Sequence, residues 1–127
     1  MTIQAYLDGL RAETPGCRLT AFGDLSTKLV LRTSTDRPCA REVLDALCDS
    51  AVQCFSATET ETPSDLTGAG YYGRSAILFT ASQSVVFARP ATTPEDVIFA
   101  VVDSARDVDH ALSALRRTLG KIGGAPT

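Results

Sequence analysis

The pattern of apolar and polar positions is most regular between residues 76 and 122, where three apolar runs precede one amphipathic stretch. The runs predict buried strands at 76–80, 85–88 and 97–102, and the short polar connections between them suit antiparallel neighbours. The last stretch predicts a helix with a single apolar stripe, made of Val108, Ala111, Leu112, Leu115, Leu119 and Ile122. This pattern describes a packed sheet closed by a helix and carries no chemistry of its own.

The first part of the chain predicts a helix followed by a hairpin. Thr2 is placed to cap a first helix, which Pro15-Gly16 ends because neither residue continues a helix comfortably. Alternation predicts strands at 17–22 and 27–32. We expect the second of these strands at an edge of the sheet, because the basic residues near its ends discourage further strand pairing.

A second helix is predicted to begin at Asp36, with Pro38 just inside it, and to run through Phe55, which makes the order α-β-β-α-β-β-β-α. Its apolar side chains cover about half of the helix circumference, a wider arc than docking on a sheet requires. The wide arc indicates a further contact. The candidates for contact with a second subunit are Leu44, Cys48, Val52 and Phe55. The alternative is a helix sunk between the sheet and a loop.

Length and composition indicate one globular domain. With 127 residues, the chain is predicted to form a single domain over 1–122 and a flexible tail over 123–127. Residues 56–75 are rich in Ser, Thr, Glu, Gly and Pro, which is typical of a mobile surface loop. The net charge of −3 and the scarcity of Lys offer no track for nucleic acid. Neither a membrane span nor a signal peptide is visible, so we expect a cytoplasmic protein that does not bind membranes.

Few residues offer catalytic chemistry, and each has a simpler interpretation. Residues 68–73 match the G-x-G-x-x-G dinucleotide pattern, but that motif needs a strand before it and a helix after it, and here a strand follows. His110 is the only histidine and is predicted on the solvated face of the last helix. The four cysteines lack Cys-x-x-Cys spacing and predict buried reduced thiols. We therefore expect no enzymatic activity, no cofactor and no metal.

Tyr71 and Tyr72 precede the third strand within the glycine-rich loop. Exposed aromatic side chains can anchor a partner. They can equally fold back onto their own domain, and both interpretations stay open.

Two stretches make the chain resemble the roadblock family, the relatives of a dynein light chain. Residues 19–31 resemble the opening hairpin of that family, and residues 75–102 followed by the last helix resemble its closing strands and helix. The resemblance covers about residues 3–122. The chain departs from the family at its first turn, where 24–28 replaces a frequent Asp-Gly, and its 56–75 loop is long.

The resemblance implies an α+β fold with a five-stranded antiparallel sheet, helix 2 on one face and helices 1 and 3 on the other. Family members usually form homodimers in which the second helices pair and the third strands meet edge to edge. This places Ile77 and Phe79 of the third strand in the predicted interface. Roadblock proteins act as non-enzymatic platforms, many of them for small Ras-like GTPases, and no specific Arg of this chain is a candidate finger.

Two hypotheses of function follow. The first is a homodimeric interaction platform that regulates or scaffolds a small Ras-like GTPase. The alternative is a small-molecule-sensing domain of profilin-like or PAS-like type, since those folds also flank a central sheet with helices. A sensor needs an apolar cavity with a few polar anchors, whereas the large residues of the late strands favour a filled interior.

Overall fold

The computed structural model describes residues 2–61, 75–90, 93 and 95–123. Three helices and five strands follow one another in the predicted order α-β-β-α-β-β-β-α. The elements are α1 (Ile3–Glu13), β1 (Cys17–Asp24), β2 (Leu29–Thr35), α2 (Arg41–Glu61), β3 (Ser75–Phe79), β4 (Ser84–Ala88), β5 (Asp96–Val102), a 3₁₀ turn (Ala105–Asp107) and α3 (Val108–Gly123).

The strands form one antiparallel sheet with the order β2-β1-β5-β4-β3. The predicted edge position of β2 is confirmed, and β3 forms the opposite edge. The strand β5 lies at the centre, where Phe99 pairs with Ala21 on one side and with Phe87 on the other. The two strands that neighbour β5 therefore come from opposite ends of the chain, and this pairing unites the two halves.

The predicted distribution of the helices is confirmed, because each face of the sheet has its own apolar core. On one face α2 packs over alternate strand residues, with Phe55, Phe87 and Phe99 at the centre. The ring centroids of Phe55 and Phe87 are 6.5 Å apart, and those of Phe87 and Phe99 are 5.7 Å apart. On the other face, α1 and α3 cover Val86, Ile98 and the remaining inward residues. Strand β4 is buried along its whole length because both faces are covered.

Side-chain caps begin the first and last helical segments. The Thr2 hydroxyl accepts a hydrogen bond from the Ala5 N–H at 3.1 Å, which confirms the predicted cap. Ser104 accepts from the Arg106 N–H at 3.2 Å and thereby caps the 3₁₀ turn, and α3 starts only at Val108. Gly16 follows α1 with a φ of 73°, a conformation that favours glycine.

The prediction that α2 begins at Asp36 is wrong. The Asp36 N–H donates to the Arg18 carbonyl at 3.4 Å, so this residue continues the β1–β2 ladder. The Thr35 hydroxyl then bonds both polar groups of the Arg37 backbone and forms a local turn. The helix starts at Arg41, which leaves Cys39 outside it, and ends at Glu61 rather than at Phe55.

Three other predicted boundaries change or cannot be compared. Strand β2 occupies Leu29–Thr35 rather than 27–32, because Lys28 has a φ of 60° and belongs to the turn. The first residues of the predicted 56–75 loop are helical. The rest of that loop, with the 68–73 glycine motif and both tyrosines, lies outside the described residues, and so does the tail after 123.

Candidate interaction edge of the sheet

Most of the helix-2 residues predicted to contact a second subunit belong to the core of the chain itself. Leu44, Cys48 and Phe55 are buried against the sheet, in the cluster that contains Phe87. Of the four predicted residues, Val52 alone is partly exposed. The side chains of Leu44, Cys48 and Phe55 therefore form the underside of α2.

The geometry of a helix explains which flank of α2 reaches the surface. At about 100° per residue, Leu44, Cys48, Ala51 and Phe55 fall within an arc of about 60°, and this arc faces the sheet. Val43 lies about 100° to one side of Leu44 and is 51% exposed. Val52 lies about 80° to the other side, close to the arc of Asp45 and Asp49. Sequence reasoning joined both flanks into one wide arc and did not select Val43 as a candidate for the interface.

The two flanks of α2 face opposite ends of the strands. Asp45 accepts from the Val30 N–H of β2 at 3.3 Å, and Asp49 pairs with Lys28 at 3.1 Å. These contacts fix the flank that carries Val52 toward the start of β2. The flank that carries Val43 and the half-buried Leu47 faces the other end, where both residues line a cleft with Thr35 and Gln83.

Ile77 and Phe79 are exposed on β3, as the predicted interface requires of them. Ile77 is 37% exposed and Phe79 is 60% exposed, the highest value among the large apolar side chains of the described residues. They alternate with Ala76 and Leu78, which pack toward α2. Ile77 and Phe79 consequently lie on the opposite face of the sheet, the face of α3.

The backbone of β3 has outward groups that no other described strand pairs with. The Thr80 N–H donates to the Gln83 carbonyl at 2.9 Å, which makes these two residues a hydrogen-bonded pair at the end of the β3–β4 hairpin. Such pairs alternate along an antiparallel ladder, so Ala76 and Leu78 bond toward β4. The N–H and C=O groups of Ser75, Ile77 and Phe79 point outward. We call this the open edge.

Strand β2, at the other edge, has side chains that bond three of its outer polar groups. Its Val30 N–H is bonded by Asp45 of α2, and the Gln4 side chain of α1 donates to the Thr33 carbonyl at 2.8 Å. The Arg32 guanidinium donates to the Leu31 carbonyl at 3.0 Å. We call this the closed edge. For the open edge, no comparable side-chain bond to these backbone groups comes from the described residues.

Cys48 and His110 are the remaining candidates among the described residues. Burial, with the carboxylates of Asp45, Asp24 and Asp49 adding to it, raises the pKa of Cys48 to about 11. This thiol is therefore protonated at neutral pH and is a poor nucleophile. His110 is exposed on α3. Over the described ranges, no three His, Cys, Asp or Glu side chains cluster so that they could hold a metal ion.

An open cleft lies beside the C-terminal half of α2. It has a volume of about 360 Å³, and its lining includes Leu25, Val52, Phe55, Arg89 and Glu95. The Arg89 guanidinium carbon lies 4.5 Å from the centre of the Phe55 ring. A ligand in this cleft would meet an apolar wall and one cation.

Within the described residues, none of the helices combines the length and apolar character that crossing a membrane requires.

Comparison with known proteins identifies the fold. No protein-family model matches the sequence, and no curated protein sequence matches it. Among solved structures, MglC from Myxococcus xanthus is 11% identical with a TM-score of 0.69, over 98% of this chain and 99% of MglC. MglB from the same organism is 14% identical with a TM-score of 0.68, over 97% of this chain and 95% of MglB.

A Roadblock/LC7 domain from Streptomyces avermitilis is 12% identical with a TM-score of 0.66, over 94% of this chain and 95% of that domain. Profilin from Schizosaccharomyces pombe also matches, with 15% identity and a TM-score of 0.58 over 96% of this chain and 99% of profilin. At such low identities the similarity is one of fold. In its fold, this chain resembles the roadblock family.

Proposed function

We propose that this protein is a non-enzymatic homodimeric platform that regulates or scaffolds a small Ras-like GTPase in the cytoplasm. The observation that carries the proposal is the difference between the two edges of the sheet. The open edge has outward backbone groups and two exposed apolar side chains, Ile77 and Phe79. The closed edge has three of its outer groups bonded by Gln4, Arg32 and Asp45. Native proteins protect the edges that are not used for pairing.

A second copy of the chain is the occupant that best fits the open edge. Two β3 strands related by a twofold axis run antiparallel, and each supplies the donors and acceptors that the other lacks. The pairing also removes Ile77 and Phe79 from water. Full burial of such a side chain stabilises by about 1.5–3 kcal/mol relative to exposure.

We place the helix-2 part of the proposed interface on the flank that carries Val43, Leu47 and Cys54, of which Val43 is the most exposed. This flank faces the end of the sheet at which β3 ends. Leu44, Cys48 and Phe55 support it from below by fixing α2 on the sheet. Val52 lies on the other flank, toward the start of β2, and is available to a different partner. The resemblance to the roadblock family supports a small GTPase in that role.

The dimer is tested by substituting one exposed residue at each edge. We expect sedimentation of the unchanged protein to show a dimer and Ile77→Glu to give a folded monomer, because a charge would be buried between the paired strands without a partner. Leu31→Glu is the matched control, since Leu31 is 48% exposed on β2 and should tolerate the charge. A monomeric unchanged protein, or equal dissociation of both variants, would contradict the proposed interface.

The GTPase is tested with the purified dimer and a small Ras-like GTPase from the same source, loaded with GDP or with a GTP analogue. We expect retention that depends on the bound nucleotide and no nucleotide hydrolysis by the dimer alone. Val52→Glu and Val43→Glu then separate the two flanks of α2. Loss of GTPase binding without loss of the dimer is expected for Val52. Equal binding of the unchanged protein to both nucleotide states would exclude a regulatory role that depends on nucleotide.

A small-molecule sensor is the second candidate, supported by the cleft at Phe55 and Arg89 and by the similarity to profilin. A native mass spectrum separates the two functions. A dimer without added mass supports the platform. A monomer that carries extra mass, lost in Phe55→Ala or Arg89→Ala, would favour the sensor instead.

A further inference from the structure

The guanidinium of Arg116, on α3, lies beside the open edge. Its Nη2 atom donates to the Ser75 hydroxyl at 3.3 Å, whereas the neighbouring Arg117 bonds Glu13 at 3.4 Å on the α1 side. Arg116 is exposed, although it reaches the first residue of β3. Arg116 belongs to neither apolar core of the chain. A role at the edge therefore accounts for the placement of its side chain better than a role in folding.

The outward groups of β3 restrict the register of a symmetric strand pair. In an antiparallel pair, residues that face each other share one side of the sheet, so a twofold axis must pass through a residue position. Centring the axis on Ile77 pairs Ser75 with the partner subunit's Phe79 and uses all three outward residues. Each of the three pairs exchanges two hydrogen bonds. Centring it on Ala76 or Leu78 leaves one outward residue of each strand without a paired residue in β3 of the partner.

This register brings a ring and a cation together across the two subunits. We propose that Phe79 of each copy packs against Arg116 and Ser75 of the other copy, an inference that rests on the proposed homodimer. Ser75, Ile77 and Phe79 share the face of α3, from which Arg116 also approaches. Side chains directly opposite each other have Cβ atoms about 4.5–5.5 Å apart. The partner's ring is then within the ~6 Å at which a guanidinium interacts with an aromatic face.

The contact explains two features that remain unrelated in the single chain. Phe79 exposes 60% of its surface to water, and Arg116 is tethered to Ser75 rather than extended into solvent. A tethered guanidinium has already lost part of its conformational freedom, so that stacking a ring on it costs less entropy. The pair also selects one register of strand pairing, since only the β3–β3 register centred on Ile77 places each Phe79 ring beside the partner's guanidinium.

The test mixes two variants that each lack one side of the contact. In a mixture of Phe79→Ala and Arg116→Ala chains, both homodimers lose both contacts, whereas the heterodimer keeps one. Native mass spectrometry resolves the three dimers by mass and measures the ratio of heterodimer squared to the product of the homodimers. A cation–π contact gives about a two- to fivefold change in affinity, and the ratio rises above its statistical value by the square of that factor.

The matched control is a mixture of Phe79→Ala with Arg117→Ala, for which we expect the statistical ratio because Arg117 bonds Glu13. Circular dichroism of each variant verifies that it is folded. A statistical ratio for the Arg116 mixture would overturn the proposed contact and leave the homodimer intact. If the unchanged protein is a monomer at all concentrations, both the contact and the homodimer fail.

Discussion

At the scale of single residues, several positions are fixed by contacts that arise far away in the sequence. Gly16 combines its positive φ with a close approach to the 3₁₀ turn before α3, because a Cβ atom there would lie 2.5 Å from the Asp107 carboxylate oxygen. Its carbonyl accepts from the Asp103 N–H at 3.0 Å. The Pro15-Gly16 pair predicts the end of a helix, but the sequence carries no sign of the neighbour at 107.

Gly16→Ala should lower the free energy of unfolding by about 1–3 kcal/mol, because alanine is strained at this φ and displaces Asp107. Urea unfolding measures it. Gly9→Ala is the matched control, since nothing lies within 4 Å of its added Cβ inside α1. We expect that control to stabilise by about 0.5–1 kcal/mol. A Gly16→Ala protein as stable as the unchanged one would refute the close approach.

Cys48 should make stability depend on alkaline pH. Its pKa is raised from 9.0 to about 11, so the folded state holds the thiol proton at pH values where the unfolded state releases it. Stability is therefore complete below pH 9 and decreases between pH 9 and about 11, by an amount on the order of 2 kcal/mol. Urea unfolding across this range should show a smaller decrease for Cys48→Ala. Equal decreases in both proteins would rule out the thiol as the cause.

At the scale of elements, the two edge strands have different chemistry although both are short and partly apolar. The edge position of β2 is predictable from its basic residues, but its closure depends on Gln4 of α1 and Asp45 of α2, which only the fold brings to it. The predicted start of α2 is wrong for the same reason. Asp36 and Pro38 are good helix-start residues, yet the ladder with Arg18 holds Asp36 in the sheet.

Removal of the side chains that bond the outer backbone groups of β2 should leave that edge available for strand pairing. In Gln4→Ala combined with Asp45→Ala, the Val30 N–H and the Thr33 carbonyl lose their partners. We expect dimers to associate further through β2 at high concentration, which light scattering would detect. Asp49→Ala is the control, because Asp49 pairs with Lys28 and bonds no edge group. A double variant that remains a dimer would show that β2 has another protection.

At the scale of the whole molecule, the sheet has a buried centre, formed by β4 and β5, and an open edge at β3. Strands β4 and β5 are covered on both faces, whereas β3 pairs with β4 alone among the described strands. The centre should therefore open only on global unfolding, and the outer side of β3 should depend on association.

Hydrogen exchange at several protein concentrations tests this contrast. The amides of Ile77 and Phe79 should be protected only when the dimer is populated, while those of Ala76 and Leu78 are protected in both states by β4. Amides within β5 should exchange slowest at every concentration. Exchange of Ile77 that does not depend on concentration would contradict pairing at this edge.

The sequence by itself determined the order of the elements and the helix cap at Thr2, because these follow from local periodicity and short-range hydrogen bonds. Its prediction that the strand at 76–80 is buried is wrong, because Ile77 and Phe79 of β3 are exposed. Only the tertiary structure decided which flank of α2 is covered, and it buried Leu44, Cys48 and Phe55 while leaving Val43 outside. It also decided which edge is open. The physical reason is that burial and edge protection depend on side chains distant in sequence, such as Gln4 at Thr33 and Arg116 at Ser75.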